Sequence, residues 1–75
     1  MSIPLTSVTL TNGSATVTVN SPSINLATVQ DGWMIQIEGS SLLLEIASGG
    51  SNQLTLASTY SGTTLTARAA VVIET

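Results

Sequence analysis

Ser7-Val8-Thr9-Leu10-Thr11-Asn12-Gly13-Ser14-Ala15-Thr16-Val17-Thr18-Val19 is the stretch that decides the class of fold. Apolar residues alternate with hydroxyl residues on both sides of Asn12-Gly13, which is the period of a half-buried strand. Asn-Gly is the strongest short hairpin signal, because both residues accept the positive φ of a type I′ turn. With that dipeptide as the loop, Thr11 faces Ser14, Leu10 faces Ala15 and Val8 faces Val17, so the large side chains share one face. A slip of one residue would turn them to opposite faces, so turn and pattern agree.

The same grammar recurs downstream. Leu42 to Ala47 and Asn52 to Leu56 form a second hairpin across Gly49-Gly50-Ser51, a loop of the kind that ends in a glycine bulge, with Ile46 opposite Leu54 and Leu44 opposite Leu56. Trp33 to Glu38 pairs with Leu42 to Ala47 if Ile37 meets Leu44 and Ile35 meets Ile46. That match needs an even loop, either Ser40-Ser41 or Gly39 to Leu42. Ala69 to Ile73 is apolar on both faces and reads as a closing strand, buried on both sides or covered by a neighbour. Ile24 to Gln30 does not alternate; it reads as a loop with one helical turn, entering the next strand through Asp31-Gly32.

With 75 residues the chain reads as one β domain, residues 1–75, with its core module over about 7–74. A domain this small buries only about 60–65% of its unfolded surface, so its stability alone is expected to be marginal. It has no cysteine, hence no disulfide staple, and no histidine, hence none of the usual structural zinc sites. No metal or cofactor is expected. Met1-Ser2-Ile3-Pro4 lacks the basic region and apolar run of a signal peptide, and no apolar run approaches the roughly 18 residues of a membrane helix.

Charge excludes further classes. Asp31, Glu38, Glu45 and Glu74 stand against the single Arg68, for a net charge of −3. One arginine cannot neutralise a run of phosphates, so nucleic acid is not an expected partner, and anionic membranes are disfavoured for the same reason. The lack of lysine bears on the sheet edges, which monomeric β proteins blunt with lysine, inward charges or proline. Pro4 and Pro22 lie outside the best strands. Either the sheet closes into a barrel or neighbouring subunits cover its edges, and both can hold together.

No catalytic constellation emerges. Glu38 and Glu45 flank one turn, but the even-loop register sets them on the outer face, opposite Leu43 and Gln36, where solvated carboxylates are ordinary. The serines lack a histidine or lysine to activate them. Asp31 is a turn residue without further oxygen ligands around it for calcium. The candidate interface residues are Trp33, Tyr60, Arg68 and Val72. Trp33 shares parity with Ile35 and Ile37 and favours core or barrel-end packing. Tyr60 lies in a loop as the better exposed aromatic, Arg68 is the lone cation and pairs with a carboxylate of its own or an adjacent subunit, and Val72 belongs to the apolar closing strand.

Four segments then carry a resemblance: Val8 to Thr18, Val29 to Gly39, Leu44 to Ser48 with its "EIAS", and Gln53 to Thr63 with its "LTL" and Tyr60-Ser61-Gly62. In this order and spacing they resemble a small β module of tailed-bacteriophage virion proteins, across residues 7–73. The chain departs from that pattern at Gln30-Asp31-Gly32, where similar segments have Pro-Gly-Asp. The resemblance implies a small SH3-like or related barrel or sandwich of about five to six antiparallel strands. It also implies a virion location, as a structural protein of the tail, fibre-attachment or head–tail region that contacts other virion proteins and copies of itself. A capsid decoration or cement protein is the alternative. A module binding a host glycan or another receptor is the competing class, and it would need an aromatic platform that only Trp33 and Tyr60 could supply.

Overall fold

A computed structural model describes residues 2–21, 23–39 and 43–74. Six strands form: β1 (Ser2–Leu10), β2 (Thr16–Ser21), β3 (Met34–Ile37), β4 (Leu43–Gly50), β5 (Gln53–Leu56) and β6 (Leu65–Ile73). They close into one antiparallel barrel in the order β1-β2-β5-β4-β3-β6, an all-β architecture consistent with a small SH3-like barrel. Closure follows from β6, which pairs with β1 on one side and β3 on the other. No helix occurs among the described residues.

The interior is filled by the inward residues of every strand. Val8, Val17, Ile35, Ile37, Ile46, Leu54 and Val72 are wholly buried, and among the described residues no buried position is polar or charged. Between β2 and β3 the chain adds Leu26 and Val29 to this core across a β-turn, in which the Val29 N–H donates to the Leu26 carbonyl. The Asn25 side chain accepts from the Ala27 N–H inside the same turn, an Asx arrangement that replaces the expected helical turn. At Gln30–Trp33 the chain turns again, with Gly32 at φ +97° and the Trp33 N–H donating to the Gln30 carbonyl. Asp31 is there a turn residue, as its sequence context indicates.

The hairpin faces are as expected, but every register is offset. Across β1 and β2, Leu10 pairs with Val17 and Val8 with Val19. Gly13 has φ +86° whereas Asn12 does not have positive φ, so the turn is not type I′. The Ser14 N–H donates to the Thr11 carbonyl across Asn12-Gly13, so Thr11 and Ser14 face each other as expected, while the Gly13 N–H donates to the Tyr60 carbonyl and the Ser14 and Ala15 carbonyls accept from Tyr60 and Leu56. The bond from Leu56 joins Ala15 to β5, and the strand pairing with β1 begins only at Val17.

In the second hairpin Gly49 and Gly50 belong to β4, and Ser51-Asn52 forms the loop, with Asn52 at φ 57°. Ile46 consequently pairs with Leu56 instead of Leu54, through a bulge between Ile46 and Ser48. Ile35 pairs with Leu44, and Glu45 with Met34, so the β3–β4 match also moves by two residues. Parity is retained, but Ser40, Ser41 and Leu42 lie outside the described residues.

Three further expectations are corrected. Pairing of Ser2 to Leu5 with β6 extends the barrel beyond residue 7, and Pro4 lies within β1 opposite Val71. Pro22 lies outside the described residues. The closing strand starts at Leu65, and within the chain only its inner face is buried, since Val71 on the outer face is 36% exposed, which removes burial on both sides and leaves the alternative of cover by a neighbour.

Candidate functional site

The outer face of β1, β6, β3 and β4 is built by cross-strand pairing. Pro4 pairs with Val71, Val71 with Gln36, and Gln36 with Leu43, which sets these residues in one row across four strands. Two residues along, Ser2, Ile73, Met34 and Glu45 form a second row by the same pairings. Neighbouring strands lie about 4.8 Å apart and alternate residues about 6.7 Å apart, so the rows form one continuous surface. It is apolar for a surface this poor in charge: Leu43 is 52% exposed and Val71 36%, Pro4 is exposed, and Met34 and Ile73 are half-buried.

Charge sits at the margins of this face. Glu45 ends the second row on β4, and Glu38 follows β3, its N–H donating to the Ala69 carbonyl. Arg68 is exposed beside the turn after β3, where a Cβ added to Gly39 would lie 3.2 Å from its Nη1 atom. An open groove of about 550 Å³ runs over this face between Pro4, Gln36, Glu38 and Val71.

Of the four residues singled out in the sequence, the structure exposes only Arg68. Val72 is wholly buried, and Trp33 is 9% exposed, packed in the core as its parity indicates. Tyr60, expected to be the better exposed aromatic, is 4% exposed. Its hydroxyl donates to the Thr63 carbonyl, and its ring lies so close to Gly62 that a Cβ there would meet the hydroxyl oxygen at 2.6 Å. The aromatic thus locks the loop of residues 60–64 over the first turn, where the Asn12 side chain donates to the Gly62 carbonyl and the Asn12 N–H donates to Thr64 Oγ1.

The exposed row was not visible in the sequence. Val71 was read only as part of a closing strand apolar on both faces, with Val72 as its candidate interface residue, and Leu43, Pro4 and Met34 join Val71 only once the registers are known. A second hollow, about 390 Å³, lies between Leu44, Glu45 and the 58–62 loop, but the buried Tyr60 presents no ring face to it for stacking. No group of three metal-ligating side chains occurs among the described residues. No protein-family model, curated protein or solved structure matches the chain.

Proposed function

We propose that this protein is a structural component of a tailed-bacteriophage virion, in the tail, fibre-attachment or head–tail region, and that it works by many-copy protein–protein contact without catalysis. Its partners are copies of itself and other virion proteins. The virion assignment rests on the resemblance of residues 7–73. The observation that carries assembly is the apolar row Pro4, Val71, Gln36 and Leu43 on the outside of a barrel with one cation and four carboxylates. Covering a half-exposed leucine recovers on the order of 1 kcal/mol, so a single contact is weak and repetition supplies the strength. Charge-poor surfaces suit permanent packing because few ions must be desolvated.

Closure changes the means of contact. Each of the six strands has a paired neighbour on both sides, which favours side chains on the outer face over strand addition at an edge as the basis for assembly. Burial of Trp33 and Tyr60 also weighs against the receptor reading, which needs an accessible aromatic platform. Decoration of a capsid exterior uses the same face and remains the second reading.

Mass spectrometry and immunogold labelling of purified particles test the proposal. The protein is expected at many copies per particle, retained after high-salt washing, with labelling at the tail or neck; labelling over the capsid shell would select decoration. Absence from particles overturns the virion reading, and specific binding on a glycan array would support the receptor class instead.

A further inference from the structure

We propose that Asn12-Gly13 is a self-modification site, at which the chain converts Asn12 to aspartate or isoaspartate through a cyclic imide, and that the loop of residues 60–64 keeps it silent while docked on the turn. The proposal stands without the virion reading, since it concerns the covalent chemistry of the chain itself.

The sequence supplies the reaction. Of Asn12, Asn20, Asn25 and Asn52, only Asn12 precedes a glycine, so the glycine that the turn requires also leaves the next backbone nitrogen uncrowded by a side chain. When the Gly13 N–H gives its proton to hydroxide, the nitrogen attacks Asn12 Cγ; the Cγ–Nδ2 bond breaks, and ammonia leaves with a proton taken from water. Water then opens the imide. Opening at Cγ gives aspartate, and opening at the Asn12 main-chain carbonyl gives isoaspartate. Water enters, ammonia leaves, and nothing is oxidised or reduced.

The fold holds both reacting nitrogens. The Gly13 N–H donates to the Tyr60 carbonyl at 2.7 Å, which retains the proton that must leave, and Asn12 Nδ2 donates to the Gly62 carbonyl at 2.8 Å, which ties down the leaving group. The Asn12 N–H donates to Thr64 Oγ1 at 3.0 Å, so all three acceptors belong to one loop. Tyr60 fastens that loop, with its side chain buried and its hydroxyl donating to the Thr63 carbonyl. Asn12 and Gly13 are themselves exposed, so hydroxide and water reach them. Undocking of the loop frees nucleophile and leaving group in one motion, and the rate of conversion follows the fraction of time the loop is open. The product does not restore the contact. A carboxylate has no proton to donate and sets oxygen against the Gly62 oxygen, while isoaspartate adds a backbone carbon to the turn that the Ser14 N–H closes on the Thr11 carbonyl.

Incubation of the full chain at mildly alkaline pH, followed by intact-mass and fragmentation spectra, reads the conversion. In concentrated urea Asn12 is expected to convert ahead of the other asparagines, and in native buffer about tenfold more slowly or less. Tyr60→Phe, which removes the bond to Thr63, and Thr64→Val, which removes the bond to Asn12, should each raise the native rate about threefold or more and leave the rate in urea unchanged. Should Tyr60→Phe lose its fold by circular dichroism, Thr64→Val at its exposed position keeps the readout. A native rate equal to that in urea, no conversion of Asn12 in urea, or native rates indifferent to both variants overturns the proposal. Hydrogen exchange checks the one-way character: in Asn12→Asp the Gly13 amide should exchange about threefold faster or more, and unchanged protection overturns that part.

Discussion

Gly49 and Gly13 are small for opposite reasons. A Cβ on Gly49 would lie 2.3 Å from the Leu26 carbonyl oxygen, so that position serves the close approach of two backbones. Gly13 has open space around it but φ +86°, so it serves conformation alone. Gly13→Ala should therefore cost about 1–2 kcal/mol, the ordinary strain of a left-handed residue. Gly49→Ala should cost about 3 kcal/mol or more, because a segment that supplies two core residues must move. Urea denaturation of the two variants measures the difference. Asn52 combines both kinds of demand: at φ 57° its N–H donates to the Ile24 carbonyl, its carbonyl accepts from Val19, and its side chain accepts from the Ile24 N–H. Asn52→Gly keeps the backbone and should cost about 1 kcal/mol, whereas Asn52→Ala adds strain and should cost about 2 kcal/mol or more. The positive φ of Gly13 was legible in Asn12-Gly13, but the demands on Gly49 and Asn52 were not. Two adjacent glycines read as a turn, and only the tertiary approach of Leu26 shows why they sit within a strand.

Bulges explain where the strand pattern was legible and where it failed. In β1 the inward residues are Ile3 and Leu5, then Val8 and Leu10, so parity changes at the irregularity between Leu5 and Val8. Strict alternation counted back from Leu10 would send Leu5 outward; instead it is 2% exposed. Leu5→Ala should thus cost about 2–5 kcal/mol, comparable to Leu10→Ala, in thermal or chemical unfolding. A near-neutral Leu5→Ala would mean that residues 2–5 do not belong to the barrel. In β4 the bulge after Ile46 does the same service, returning Ile46 and Leu56 to one face. Period-two patterning reports the face of a residue and not the offset between strands, which is why each hairpin kept its face and moved its register. Backbone bonds from Gly13, Ser14 and Ala15 to residues 56–60 set the offset in the first hairpin, and no local signal carries them.

The small closed barrel accounts for the fate of the candidate site. Trp33, Tyr60 and Val72 were singled out as side chains of the kind that anchor interfaces, but a barrel this small draws its largest side chains inside to fill itself. What it leaves outside, Leu43, Val71 and Pro4, becomes a surface only through neighbours brought together by closure. Because β1 and β6 come from opposite ends of the chain, closure demands the most distant pairing the sequence contains. Stopped-flow refolding should accordingly fall in the millisecond-to-second range of all-β domains, and Val72→Ala should mainly accelerate unfolding if β6 docks last. The pairing of Ser2 with Ile73 has one more effect, because both ends of the chain leave the barrel from the same rim. A short bridge between them would make the polypeptide a ring, and new ends opened at the exposed Ser58-Thr59 would encode the same barrel in a permuted order. By the same geometry the whole barrel can be spliced into a surface loop of another protein, entering and leaving at neighbouring points without disturbing its host.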